Sequence, residues 1–126
     1  MNNGEKKIYD LEERTAVFGE NTIEFCKTLN LDTISRPLVS QLIKSATSMG
    51  ANYMEANGAS SKKDFRNKIH ICKKEAQETK HWLRMLSVCL SSKKGDIDLL
   101  SKESRELILI FAKIAKSSAD TEPSEL

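Results

Sequence analysis

The spacing in this chain that most suggests chemistry is Glu78-Thr-Lys-His81, a Glu-x-x-His pair. In ferritin-like helix bundles such a pair on each of two helices, with a single Glu from each of the others, holds two metal ions. Here the second pair is missing, because the other histidine, His70, follows an asparagine at the matching position. In the helical register set out below, Thr79 and Leu83 face the core, which turns Glu78 and His81 away from it. Both are read as solvated surface residues at an incidental spacing, and no metal or other cofactor is expected. Cys26, Cys72 and Cys89 form neither a close pair nor a zinc spacing, which argues against a disulfide framework. Cys72 falls in an apolar seam, where a thiol is inert. With no glycine-rich phosphate loop or nucleophile elbow present, the chain is not expected to be an enzyme.

Charge is the second chemical signal. Net charge is only +2, but its distribution is uneven. Residues 60–94 hold ten Lys or Arg against three Asp or Glu, while residues 1–34 and 95–126 each hold four against seven. A positive field of this kind is what contact with a phosphate backbone needs. A lysine-rich helix face also serves plain solubility, and both readings stay open. The candidate nucleic-acid-binding residues are Lys62, Lys63, Arg66, Lys73, Lys74, Lys80 and Arg84. No row of aromatics interleaves them for base stacking, so sequence-specific reading is not implied.

The elements that must carry these residues are helices. Phe65, Ile69, Cys72, Ala76, Thr79, Leu83, Leu86 and Leu90 keep one register in alternating steps of four and three. That is the seam of a helix packed lengthwise on other helices. Ser60 or Ser61 caps it, and it extends to about Ser91. A first helix runs from about Asp10 to Leu29, with Leu11, Thr15, Phe18, Thr22, Phe25 and Leu29 inward, an Asp10/Glu13 capping box and Asn30 as a left-handed stop. A second runs from about Ser35 to Asn57, with Pro37 tolerated in its first turn. Val39, Leu42, Ala46, Met49, Tyr53 and Ala56 make its main stripe, and Ile43, Gly50 and Met54 a second beside it. A mid-helix glycine costs roughly 1 kcal/mol relative to alanine, so Gly50 implies close approach of a neighbouring helix. Ser91–Gly95 reads as a turn, and a fourth helix runs from near Asp98 to about Lys116, with Leu100, Leu107, Phe111 and Ile114 inward.

Four amphipathic helices on short loops predict an all-α, antiparallel up-down-up-down four-helix bundle. The division is a flexible N-terminus at 1–9, the bundle at 10–116 and a disordered acidic tail at 117–126. The chain's 126 residues suit one domain. No hydrophobic run opens the sequence and none approaches the ~20 residues of a membrane span, so a cytoplasmic protein without membrane contact is expected. Trp82 flanks the seam, either as a lid on the core or as part of a protein interface. Ile71, Met85 and Cys89 add outward apolar surface beside it. With Ile43, Gly50 and Met54, Trp82 makes a candidate oligomer interface. Glu75 and Glu78, among Lys74, Lys80 and Arg84, are open to local pairing or to contact with a neighbouring subunit.

Tyr9-Asp-Leu-Glu-Glu-Arg-Thr15, Ser45-Ala-Thr-Ser-Met-Gly-Ala-Asn52, Ser61-Lys-Lys-Asp-Phe65, Lys74-Glu-Ala-Gln-Glu-Thr79 and Trp82-Leu83 together carry a resemblance. Over residues 8–115 the chain resembles the bacterial four-helix-bundle family of proteins encoded in intervening sequences of 23S ribosomal RNA genes. The resemblance implies a homopentamer of bundles arranged as a ring. It also links the chain to the accessory proteins of diversity-generating retroelements, and so implies a basic surface that contacts nucleic acid or a reverse-transcriptase-like protein. The acidic tail lies outside the resemblance.

Overall fold

A computed structural model describes residues 10–120. They form four α-helices, α1 (Leu11–Lys27), α2 (Ser35–Asn57), α3 (Lys62–Cys89) and α4 (Lys94–Asp120), with a 3₁₀ turn at Ser91–Lys93 and no strand among the described residues. At 28 residues, α3 is about 42 Å long.

Cross-helix contacts give the direction of each pair. Lys68 donates to Glu55 at 2.8 Å, Cys72 Sγ to the Met49 carbonyl at 3.6 Å, and Thr79 Oγ1 sits 2.8 Å from Ser45 Oγ. As numbers rise on α3 they fall on α2, so the two run antiparallel. On α1 and α2 the Asn57 amide donates to Glu12 at 3.1 Å, Gly50 lies against Thr15, and Gly19 against Ala46 and Thr47. That pair is antiparallel too. α3 packs on both α2 and α4, whereas α1 leans mainly on α2. The architecture is the expected all-α bundle of four helices.

The seams bury as their spacing predicts. Ile69, Cys72, Ala76, Thr79, Leu83 and Leu86 of α3 are buried, with Phe65 and Leu90 half-buried at the ends. Leu11, Thr15, Phe18, Thr22 and Phe25 of α1 and Leu107 and Phe111 of α4 meet them. The threonines are tolerated because each hydroxyl bonds its own helix: Thr15 to the Glu12 carbonyl at 3.1 Å, Thr22 to Phe18 at 2.9 Å and Thr79 to Glu75 at 2.8 Å. A Cβ added to Gly50 would lie 3.3 Å from Thr15 Oγ1 and 3.5 Å from its backbone. The close approach that this glycine implies is therefore α1 of the same chain.

Helix ends agree less well. Ser61 caps α3 as expected, with extended backbone and Oγ accepting from the Asp64 amide at 3.0 Å. Asp10 makes no side-chain cap bond; at φ −97° and ψ 32° it is not in the extended conformation that a capping side chain needs. Asn30 is not left-handed, since no described residue has positive φ. Instead the Thr28 hydroxyl and amide bond the Phe25 carbonyl at 2.7 and 3.0 Å, closing α1 at Lys27. Asp32 is the cap missing from the sequence reading. Its Oδ1 accepts from the amides of Ile34 (3.0 Å) and Ser35 (2.8 Å), and Ser35 Oγ accepts from the Asp32 amide at 2.9 Å. This is a reciprocal capping box, and its bonds from Ser35 hold the Asp32 carboxyl below its ordinary pKa. The expected Ser91–Gly95 turn is shorter, because α4 starts at Lys94 and takes Gly95 into its first turn. α4 also runs past Lys116 to Asp120, so 117–120 are helix rather than tail. The expectations for residues 1–9 and 121–126 lie outside the described residues.

Candidate nucleic-acid interface

Successive helical residues turn by about 100°. On α3 the steps Lys62, Arg66, Lys73, Lys80, Arg84 therefore fall on one flank. Asp64, Glu75, Glu78 and Trp82 fall on the other. The second flank faces α2: Lys68 there pairs with Glu55 at 2.8 Å. Glu75 is half-buried, and loss of water together with repulsion from Glu78 raises its pKa, against weaker opposing pulls from Lys74, Ser48 and Lys44. The first flank faces α4. All three carboxylates of the segment thus lie away from the row of cations.

Where that row meets the start of α4, the helices part around a groove of about 420 Å³. α3 lines it with Lys80, His81 and Arg84, and α4 with Lys94, Asp98 and Arg105. Ser87 and Ser101 add hydroxyls to its wall. Its one carboxylate among the described residues, Asp98, is met by Lys94 Nζ at 3.2 Å across one helical turn. The groove is therefore cationic, with the Ser101 hydroxyl between the charges, the Ser87 hydroxyl being bonded to the Arg84 carbonyl at 2.6 Å. Of the seven predicted residues it gathers Lys80 and Arg84. Lys62, Arg66 and Lys73 continue the same flank beyond it. Lys63 and Lys74 are exposed on the side away from the seam. Arg105 and the role of Lys94 escaped the sequence reading, which counted charge by segment. Counted by face, Lys94, Ser101 and Arg105 recur at steps of seven and four on α4, and that spacing was the available signal.

His81 stands edge-on to Trp82, ring centres 5.0 Å apart, and Glu78, one turn before it, is half-buried. Among the described residues no group of three or more His, Cys, Asp or Glu is placed to hold a metal ion. Cys26 and Cys72 are buried, and burial pushes their thiols up to about 11 and about 12; Cys89 is exposed.

The four candidate interface residues do not form one patch. Gly50 and Met54 line a second groove, of about 590 Å³, between α1 and α2. Its floor is Ala16, Gly19, Gly50 and Ala51, with Thr47 beside them, and its rim carries Asp10, Glu12, Glu13 and Glu20. Ile43 and Trp82 pack half-buried against the core instead. Ile71 and Met85 are half-buried as well. The most exposed large apolar side chains are Val88 (82%), Leu109 (70%), and Leu99 and Ile34 (each 69%), two of them on α4, where the sequence reading placed none. No helix is long and apolar enough to cross a membrane, among the described residues.

The family model described as 23S rRNA-intervening sequence protein matches residues 9–119. Among solved structures, the chain is similar to a protein of unknown function from the S23 ribosomal protein family of Bacteroides thetaiotaomicron. The two are 30% identical with a TM-score of 0.76, over 83% of this chain and 97% of that one. No curated protein matches the sequence.

Proposed function

The chain belongs to the 23S rRNA-intervening sequence protein family, and from that premise we propose that it is a non-enzymatic, oligomeric, cytoplasmic module that binds RNA or another nucleic acid electrostatically through α3. The observation that carries this reading is the sorting of charge on one helix, with five cations, Lys62, Arg66, Lys73, Lys80 and Arg84, on the flank toward α4 and all three carboxylates off it. Solubility alone asks for no such sorting. Lys80 and Arg84 are joined by Arg105 and Lys94 from α4, which makes the positive field denser than α3 supplies by itself. The two buried cysteines, with their thiols pushed up, are unfit as nucleophiles.

Oligomerisation is supported by apolar surface that one bundle leaves uncovered, at Met54, Val88, Leu99 and Leu109. The resemblance implies five copies in a ring. Light scattering at micromolar concentration should give a mass of five chains, and a monomer would remove this part of the proposal.

Binding is tested by titrating the full chain against a generic RNA at several salt concentrations. Four to seven phosphate contacts on a single strand predict a slope of log K against log salt of roughly −3 to −5. Micromolar or weaker affinity with no salt dependence would overturn the reading. The acid-rimmed groove favours a second one, an oligomeric scaffold or accessory protein for a partner such as a reverse-transcriptase-like protein. Affinity purification after nuclease treatment separates the two, since a protein partner survives nuclease.

A further inference from the structure

We infer that the α3/α4 groove is a phosphate-binding groove, in which Lys80, Arg84 and Arg105 hold phosphate oxygens and Asp98 tempers the grip by engaging Lys94. The inference deepens the proposed nucleic-acid reading, and its polymer arm rests on it. Three features carry it. First, cations converge from two helices: Lys80 and Arg84 are one turn apart on α3, and Arg105 and Lys94 face them from α4. An Arg fork matches phosphate geometry in a way a lone lysine does not. Second, Ser101 and Gln77 supply uncharged donors in the same wall, so a phosphate finds short-range partners as well as a field; the Ser87 hydroxyl is spent on the Arg84 carbonyl at 2.6 Å. Third, the only carboxylate among the described residues of the lining, Asp98, already has a cation at 3.2 Å. Its remaining charge is the one repulsive element an anion would meet.

The row on α3 suggests what the groove belongs to. From Lys62 to Arg84 the cationic flank spans 22 residues, about 33 Å of helix. A strand of nucleic acid can follow that row and enter the groove with one of its phosphates. A small phosphorylated compound would engage the groove alone.

The chain has a single tryptophan, Trp82. Its ring stands 5.0 Å from that of His81, which lines the groove, so Trp82 emission reports occupancy. The full chain is titrated with unstructured oligouridylate and, separately, with inorganic pyrophosphate. Arg105→Ala should weaken oligouridylate about tenfold and reduce the salt slope by about one, and should abolish the pyrophosphate response. Asp98→Asn should tighten both ligands severalfold, a gain that a damaged fold cannot produce; the exposed Lys94–Asp98 pair adds little stability. Lys27→Ala removes the same unit of charge from an exposed site on α1, away from the cationic flank of α3, and should change affinity by less than about twofold.

If oligouridylate binds with strong salt dependence but Arg105→Ala behaves like Lys27→Ala, the groove is overturned while the α3 reading stands. If pyrophosphate binds and Arg105→Ala abolishes it while oligouridylate shows no salt dependence, the groove stands and the polymer reading falls. Loss of affinity in Asp98→Asn overturns the assigned role of Asp98.

Discussion

Between α1 and α2 the bundle parts around about 590 Å³ rimmed by Asp10, Glu12, Glu13 and Glu20, and between α3 and α4 around about 420 Å³ lined by Lys80, Arg84, Lys94 and Arg105. The two grooves differ in sign, and also in what makes them. The acidic one is floored by Ala16, Gly19, Gly50 and Ala51, so its shape is set by how closely two backbones approach. The basic one is walled by long side chains whose heads reach into water. Changing a residue of the first alters how α1 packs. Changing a charged head of the second alters chiefly a field, with the packing of its stem the smaller effect. Stability and binding should therefore separate by groove.

The harshest test is Gly50→Val. Its methyls would press on the Thr15 backbone, where a bare Cβ already lies at 3.5 Å, and β-branching is unfavourable in a helix. A loss of ~3 kcal/mol is expected from urea unfolding. Gly19→Ala on the same floor is the control. Its Cβ would meet nothing closer than 3.7 Å, so the gain in helix propensity should stabilise by ~0.5–1 kcal/mol. Folded Gly50→Val should keep the native salt slope for RNA. A changed slope would mean the grooves are coupled.

Gly50 also marks how far the sequence can be read. A glycine in the middle of an amphipathic helix is a local anomaly, so close approach of a neighbour follows from it. The 4-3 spacing of Phe65 through Leu90 fixes the seam of α3 for a similar reason, because one-sided burial imposes period on the chain. α2 came out at its expected ends, and Ser61 caps α3 because a serine before a helix has few better uses. Asp10 failed as a cap because capping depends on the residue's own φ and ψ, which composition does not determine. Asp32 was legible through Ser35 three residues on, the spacing of a capping box. The cationic groove was half visible. Lys80 and Arg84 lie within the basic segment, whereas Arg105 joins them only once α4 is placed in register.

The ion pairs between α1 and α4 were not visible at all, since they join residues about ninety positions apart. Arg14 Nε donates to Glu103 at 2.7 Å and its Nη2 to Glu103 and Glu106 at 2.8 and 2.9 Å. Only 13% of the Arg14 side chain is exposed, and the bond to Glu103 raises its pKa. α1 has few other contacts with α4, so this clamp holds the wall of the acidic groove onto the far side of the bundle. Arg14→Ala strands two carboxylates beside each other and should destabilise by ~2 kcal/mol. Arg14→Lys, which keeps the charge and loses the fork, should recover only part of that. Lys27→Ala is the matched control. It removes an exposed pair to Glu24 at 3.2 Å and should cost less than ~0.5 kcal/mol. Equal losses for Arg14→Ala and Lys27→Ala would show that α1 is held by packing alone.

The smallest effect belongs to Glu75, on the flank of α3 that belongs to neither groove. Burial and the neighbouring Glu78 raise its pKa in the folded chain, against weaker pulls from Lys74, Ser48 and Lys44. Between the ordinary glutamate value of about 4.3 and the raised one, the folded state holds more protons than the unfolded state. Stability contributed here therefore grows as pH falls through that window and declines as pH rises out of it. Asp32, with its pKa lowered by Ser35, acts in the opposite sense, and its contribution is lost only as pH falls below about 4. Glu75→Gln should flatten the change in urea midpoint between pH 7 and pH 5 and raise the midpoint slightly at pH 7. The basic groove has no part in this, so RNA affinity at pH 7 should be the same in Glu75→Gln as in the native chain. Affinity that rises would instead place Glu75 within reach of the ligand and extend the binding surface across both flanks of α3.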